Sequence, residues 1–268
     1  MARRITALSE RKIKFRATTR SARTKLRALL EKGSRKGDNL SAQQKQCLDT
    51  VFVLCLLKSI IQVMKQIETA IKILKKGGVV VYPTDTVFGL GVDATNLEAV
   101  KKMYKIKMRK NQPTHIIVSG IRMAKKYVEI SEKAEKVFKQ FLPGPITLIL
   151  PLREDVPEAI KLLSAKTNTI GIRIPKSSTA IKIVREIQSP ITTPSANPKG
   201  GESPYSIKDS RDQFKNKKYK PDLYLKSKPR KQSRPSTLIK VDEKNKIDIL
   251  RQGPITKKEI FDFLKNTK

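Results

Sequence analysis

From Met64 onward the apolar positions recur with two periods. Ile67, Ala70, Ile71 and Leu74 follow helical spacing and predict an amphipathic helix over residues 64–76, stopped by Gly77-Gly78. Residues 79–82 follow as a short apolar run of strand type. Further β-branched runs predict strands at 116–118, 146–150, 169–174, 191–193, 223–225, 237–241 and 247–250. Helical spacing intervenes at 97–107, 131–141, 178–187 and 257–264. Strands separated by helices indicate an α/β sheet covered by helices. Residues 1–63 show no strand-like alternation and no Pro, and read as a loose basic arm, helical at most around 24–32.

Charge adds a boundary to this pattern. The 268 residues hold 58 Lys plus Arg against 24 Asp plus Glu, a formal net charge of +34. Residues 1–63 carry +11 and residues 64–268 carry +23. The expected organisation is a basic extension, 1–63, without a catalytic role, and a catalytic domain, 64–268. The extension is compatible with nucleic-acid binding, with an organellar transit peptide, or with sequence upstream of a start at Met64. With 38% apolar and 31% charged residues, a core must sit beneath a strongly basic surface. Two cysteines, Cys47 and Cys55, supply neither a disulfide framework nor metal-ligand spacing, which points to a reducing, cytoplasmic setting. The longest apolar stretch, 51–63, is interrupted by Lys58 and falls short of the roughly 20 residues a membrane span needs. A charge this positive calls for an anionic partner, and composition does not choose among RNA, a nucleotide and a lipid surface.

The candidate chemistry lies just past predicted strand ends, where open α/β sheets place ligands. Pro83-Thr84-Asp85-Thr86 follows the strand at 79–82, and Thr192-Thr193-Pro194-Ser195-Ala196-Asn197-Pro198 follows the strand at 191–193. Lys105, Lys107, Arg109 and Lys110 end the helix at 97–107, where Lys offers a point charge and Arg a planar fork of donors for carboxylate or polyphosphate. Pro143-Gly144-Pro145 reads as a structural turn. Ser236-Thr237 opens a strand after the basic loop 226–235, and Arg251 precedes Gly253-Pro254. No Gly-rich phosphate loop of the usual kind is present. His115, the lone histidine, has no partner pattern for nucleophilic or metal chemistry and reads as a packed or surface residue.

The order of these motifs is more specific than any one of them. Pro-Thr-Asp-Thr, Lys-x-Arg, Pro-Gly-Pro, Arg-x-Pro, Pro-Ser-Ala-Asn, Ser-Thr and Arg-x-Gly-x-Ile, spread over residues 64–268, closely resemble the YrdC-like family, the threonylcarbamoyl-AMP synthases, in its short single-domain form. The resemblance implies a twisted open mixed β-sheet flanked by helices. It also implies an enzyme that joins L-threonine, bicarbonate and ATP into threonylcarbamoyl-adenylate and pyrophosphate, for transfer to tRNA by a separate complex. Carried over by motif, Lys107, Arg109, Ser195 and Asn197 form the catalytic set. Thr86, Arg173, Thr193 and Ser236 hold threonine and its carbamate, and Arg109, Thr169, Ser195, Ser203 and Arg251 hold ATP. Met108 stands where many members have Gly, the spacing from Arg109 to Pro113 is about one residue short, and His115 is out of register with a histidine found in many members.

The residue types suit that chemistry. A carboxylate, a carbonate oxyanion and a triphosphate repel one another in one cleft unless cations intervene, and an in-line attack on phosphorus needs positioning and charge neutralisation more than a protein nucleophile. Mg²⁺ is expected to enter with ATP. The basic loop 226–235 is expected to close over the triphosphate. The competing reading is a basic RNA-binding factor without adenylate-forming activity. Only 5% aromatic residues and no Trp leave a stacking platform poorly supplied.

Overall fold

The computed structural model describes residues 42–109, 112–242 and 245–266. The chain divides into two compact units, 1–61 and 62–268. Helix α1 (Ala42–Lys75) begins well before Met64, so Met64 does not open it and the segment before Met64 is helical from Ala42. The physical reason is that Ala42 to Lys75 contains no Gly or Pro and is rich in Leu, Gln, Lys and Ile, so nothing interrupts propagation. Residues 24–32 lie outside the described residues. The end of α1 is as expected: Gly77 has φ 75°, and the Gly78 N–H donates to the Ile73 carbonyl at 2.9 Å. Ile67, Ala70 and Leu74 are buried, so the predicted apolar face is the one that packs.

Strand β1 (Val80–Pro83) explains its own unbroken apolar run. Val81 points into the larger core with Val79, while Val80 and Tyr82 join a second core with Ile67, Ala70 and Leu74 of α1. A strand covered on both faces has no polar side to show. Its neighbours are β2 (Phe88–Gly91), antiparallel, and β7 (Leu223–Tyr224), parallel, giving a three-stranded sheet. The second sheet has six strands: β6 (Ile191–Thr192), β3 (Ile116–Ile117), β5 (Thr169–Arg173), β4 (Ile146–Pro151), β8 (Thr237–Val241) and β9 (Ile247–Arg251), in that spatial order. β3 with β5 and β4 with β8 are parallel, and the other pairs are antiparallel. The architecture is mixed α/β with flanking helices, its strands shared between two sheets. Those helices are α2 (Leu97–Lys107), α3 (Ile121–Ala124), α4 (Glu132–Phe141), α5 (Glu158–Ser164), α6 (Ser178–Ile187), α7 (Ile207–Phe214) and α8 (Lys257–Lys265).

The six-stranded sheet has two chemically distinct faces. Ile116, Ile146, Leu148, Leu150, Ile170, Ile172 and Ile239 enter the main core. The pairings Leu238 with Arg251, Thr147 with Leu238, Ile149 with Gly171 and Ile117 with Arg173 place Arg251, Thr147, Gly171 and Arg173 together on the opposite face. That face also carries Ile117, Ile149 and Leu238, so its two arginines and one threonine are set among apolar neighbours.

Candidate active site

Helix α2 delivers the first cations. Asn96 caps its start by accepting from the Ala99 N–H at 3.0 Å. At its end Met108 takes a left-handed conformation, φ 54° and ψ 40°, which lets the Arg109 N–H reach back to the Tyr104 carbonyl at 3.1 Å. Lys107, in the last turn of α2, lies on its buried face with Met103 and Ile106 and is 1% exposed. Its Nζ donates to the carbonyls of Ser195 at 2.7 Å and Asn197 at 2.5 Å, and to Asn197 Oδ1 at 3.2 Å. The Asn197 amide is fixed in turn by donating to the carbonyls of Pro198 and Gly201. Among the described residues no carboxylate pairs with Lys107. Burial, reinforced by the Arg109 charge beside it, brings its pKa down to about 7. Among the described residues the Arg109 Nε–H is buried without an acceptor.

The left-handed position of Met108 is the structural meaning of the departure noted in the sequence. An L-residue there costs about 1–2 kcal/mol, and glycine recovers part of this while losing about 0.5–1 kcal/mol of unfolded-chain freedom. Met108 is 57% exposed, so little packing is lost. Met108→Gly is expected to stabilise the chain by about 0.5–1 kcal/mol in denaturant unfolding. An unchanged or lowered midpoint would show that the turn stores no such strain.

Strand β2 is the missing support for the Ser195 loop. Half its residues are glycine, which has low strand propensity, so the pattern of apolar positions hides it. It nevertheless pins the loop: Ala196 N–H donates to the Phe88 carbonyl and Leu90 N–H to the Pro194 carbonyl, both at 2.8 Å. From α7, which also went unpredicted, the buried Ser210 hydroxyl donates to the Ala196 carbonyl at 2.6 Å.

A second cluster joins the Thr84 to Thr86 turn to the end of β5. Arg173 Nη2 meets Asp85 Oδ1 at 2.6 Å, and Nη1 donates to the Thr86 hydroxyl at 3.2 Å. The third cluster lies at the neighbouring strand ends. Ser236 Oγ and Thr147 Oγ1 are 2.9 Å apart, and Arg251 donates to the Ser236 carbonyl through Nε at 3.2 Å and Nη2 at 3.0 Å. Thr193 connects to these through its N–H, which donates to the His115 carbonyl at 3.0 Å. Thr169, at the far end of β5 from Arg173, pairs its hydroxyl with Thr167, and Ser203 is exposed between the Asn197 loop and Tyr205. In the basic loop the Arg230 N–H donates to the Tyr205 carbonyl at 2.7 Å, so the loop lies against the segment carrying Ser203.

His115, which the sequence leaves as a packed or surface residue, packs against β5. Its ring lies over Gly171, where a Cβ would stand 2.4 Å from Cδ2, so only glycine leaves room for it. Its side chain keeps some exposure yet is hemmed in by protein, and burial together with the Arg251 and Arg173 charges lowers its pKa to about 4. The unfolded chain therefore binds a proton near pH 6.5 that the native chain refuses until about pH 4. Stability is lost as pH falls through that window, by about 3 kcal/mol at its end. In His115→Gln the pH dependence of unfolding between 6.5 and 4 is expected to flatten by about that amount. A profile identical to that of the parent chain would contradict the assigned environment.

Lys107, Arg109, Arg173 and Arg251 thus stand at neighbouring strand and helix ends, with hydroxyls and amides between them, and two of these guanidinium groups keep a buried donor unpaired. Fold and site define an α/β protein built to hold anionic ligands. The family model Sua5_yciO_yrdC, described as "Telomere recombination", matches residues 72–253, and the chain belongs to this family. It is 38% identical over 193 residues to a putative threonylcarbamoyl-AMP synthase of Methanocaldococcus jannaschii, covering 71% of this chain and 87% of that one. It is 39% identical over 142 residues to the threonylcarbamoyl-AMP synthase of Bacillus subtilis, of which it spans 40% of the length and the match 52% of this chain. Among solved structures, Pyrococcus abyssi Sua5 complexed with L-threonine aligns with a TM-score of 0.67 at 31% identity, over 74% of this chain and 57% of that one. Among the described residues no helix is long and apolar enough to cross a membrane.

Proposed function

We propose that the chain is a threonylcarbamoyl-AMP synthase, making threonylcarbamoyl-adenylate and pyrophosphate from L-threonine, bicarbonate and ATP for modification of tRNA, and that it works in the cytoplasm. The observation that carries this reading is Lys107: a buried ammonium, held by two carbonyls and an amide oxygen, with no carboxylate to neutralise it. Such a group is costly in an empty site and favourable when an anion arrives.

In this reading Arg173, Thr86, Thr193 and Ser236 receive threonine and its carbamate, and Arg109, Thr169, Ser195, Ser203 and Arg251 receive ATP. The threonine amine and bicarbonate give a carbamate with loss of water. A carbamate oxygen then attacks the α-phosphorus in line, forming the P–O bond to the carbamate as the bond to the pyrophosphate oxygen breaks. Lys107 and Arg109 offset the charge that gathers on the phosphoryl oxygens, while Ser195 and Asn197 fix the approach. Mg²⁺ comes with ATP on the phosphate oxygens, as it does where substrate supplies most of its ligands. The unabsorbed surface charge favours encounter with anions generally.

The test is pyrophosphate release by the purified chain with each substrate omitted in turn. Release that requires threonine, bicarbonate and ATP together is expected. Release indifferent to threonine would overturn the substrate assignment. No release, with tight RNA binding that weakens steeply with salt, would favour the RNA-binding reading instead.

A further inference from the structure

One acid sits at the heart of the basic site, and the roles given above leave it unused. Asp85 lies between Thr84 and Thr86, and its side chain is 11% exposed against 7% for that of Arg173. Its two oxygens do different things. Oδ1 accepts from Arg173 Nη2 at 2.6 Å, and Oδ2 accepts from the Lys176 backbone N–H at 3.1 Å. One residue further, the Ser177 hydroxyl donates to the Pro83 carbonyl at 2.8 Å, so the carboxylate is anchored to the segment just past β5. Arg173 is held from two sides, by Asp85 and by the Thr86 hydroxyl at 3.2 Å. Its Nε–H is buried and has no acceptor among the described residues.

An acid among substrate-facing cations is unfavourable for anionic substrates unless it does something that outweighs the repulsion. Here it takes one edge of a five-donor fork and so dictates where the other edge points. We propose that Asp85 is a positioning residue, a fixed strut that holds the Arg173 guanidinium in one orientation at the subsite of the amino-acid substrate. This rests on the assignment of Arg173 to threonine made above. Held this way, the guanidinium need not lose rotational freedom when the substrate binds, which is where preorganisation gains affinity.

Asp85→Asn in the full chain keeps the size and removes the charge. Two readouts are taken. In protein with isotopically labelled arginine, the Arg173 guanidinium signals, identified by their loss in Arg173→Lys, report hindered rotation in the parent chain and averaging in Asp85→Asn. In pyrophosphate release, the KM for threonine is expected to rise by at least about fivefold while that for ATP moves by less than about twofold. Adding Asp85→Asn to Arg173→Lys is expected to raise the threonine KM by less than Asp85→Asn does in the parent chain, because a lysine can pair with the acid but offers no guanidinium plane for it to orient. An equally hindered guanidinium in Asp85→Asn, equal rises in both KM values, or multiplying effects in the double variant would each overturn the proposal. If the parent chain releases no pyrophosphate, the functional assignment fails on its own, and the guanidinium signals still decide whether Asp85 fixes Arg173. Should Asp85→Asn not fold, Asp85→Glu is measured. Its longer reach is expected to shift the guanidinium signals and raise the threonine KM, and no change in either would overturn the strut.

Discussion

Lys107→Ala is expected to lower kcat/KM for ATP by well over tenfold while leaving the chain folded. On the proposed assignment the loss follows from removing a buried positive charge that holds the Ser195 and Asn197 loop and lies near the phosphates, about 2 kcal/mol or more, at about 1.4 kcal/mol per factor of ten. Stability should change less than activity, because two effects oppose each other. The carbonyls of Ser195 and Asn197 lose their donor, but the native state no longer carries a desolvated ammonium. The same environment gives the parent enzyme a distinctive pH profile. With its pKa near 7, Lys107 loses its proton as pH rises through neutrality, and kcat/KM is expected to fall with it. Stability should move the other way, rising from about pH 7 toward 10.5, where the unfolded chain holds a proton that the native chain has released. Near-native rates in both Lys107→Ala and Arg109→Ala would mean that the Lys-x-Arg motif does not serve the reaction.

The second large effect is on the fold. Arg173→Ala strands Asp85, an acid already taken out of water and paired at 2.6 Å, and breaking such a pair from one side costs about 3–5 kcal/mol. Removing both partners should recover much of that loss, since no uncompensated charge then stays buried. Denaturant unfolding of Arg173→Ala, Asp85→Ala and the double variant measures this directly. A double variant no more stable than Arg173→Ala would show that the pair does not act as a unit. If Arg173 serves threonine as proposed, activity should be lost in both, because the guanidinium is absent from each.

How much of this was visible in the sequence depends on what each residue's neighbours are. The apolar run at 79–82 was plain because both of its faces are buried, and the helix stop at Gly77 was plain because a left-handed turn favours glycine there. Lys107, Arg109, Ser195 and Asn197 were picked out by motif, and three of them meet through the Lys107 Nζ contacts. Three things were not visible. Strand β2 is half glycine, and helices α3, α5 and α7 run to only 4, 7 and 8 residues, too short to establish a period. The early start of α1 has no sequence marker, because charge and composition change near Met64 while the helical backbone runs through it unbroken. The environment of His115 depends on Gly171, Arg173 and Arg251, which only the strand register brings beside it. Local pattern reports helices and turns well, whereas a site assembled across six strands is set by pairings far apart in the chain.

Charge shows the same division. The net +34 is a property of the whole chain, but the cations that distinguish this protein are the few at strand and helix ends, Lys107, Arg109, Arg173 and Arg251. Arg173 and Arg251 end strands of the six-stranded sheet and Lys107 and Arg109 end helix α2, with Asp85 engaging one of the four.

The most direct test of the central claim is to incubate the purified chain with ATP, L-threonine and isotope-labelled bicarbonate and to weigh the adenylate formed. The expected product is threonylcarbamoyl-adenylate carrying the bicarbonate label, formed together with pyrophosphate and absent when threonine is left out. An unlabelled adenylate, or ATP left intact with all three substrates present, would contradict it.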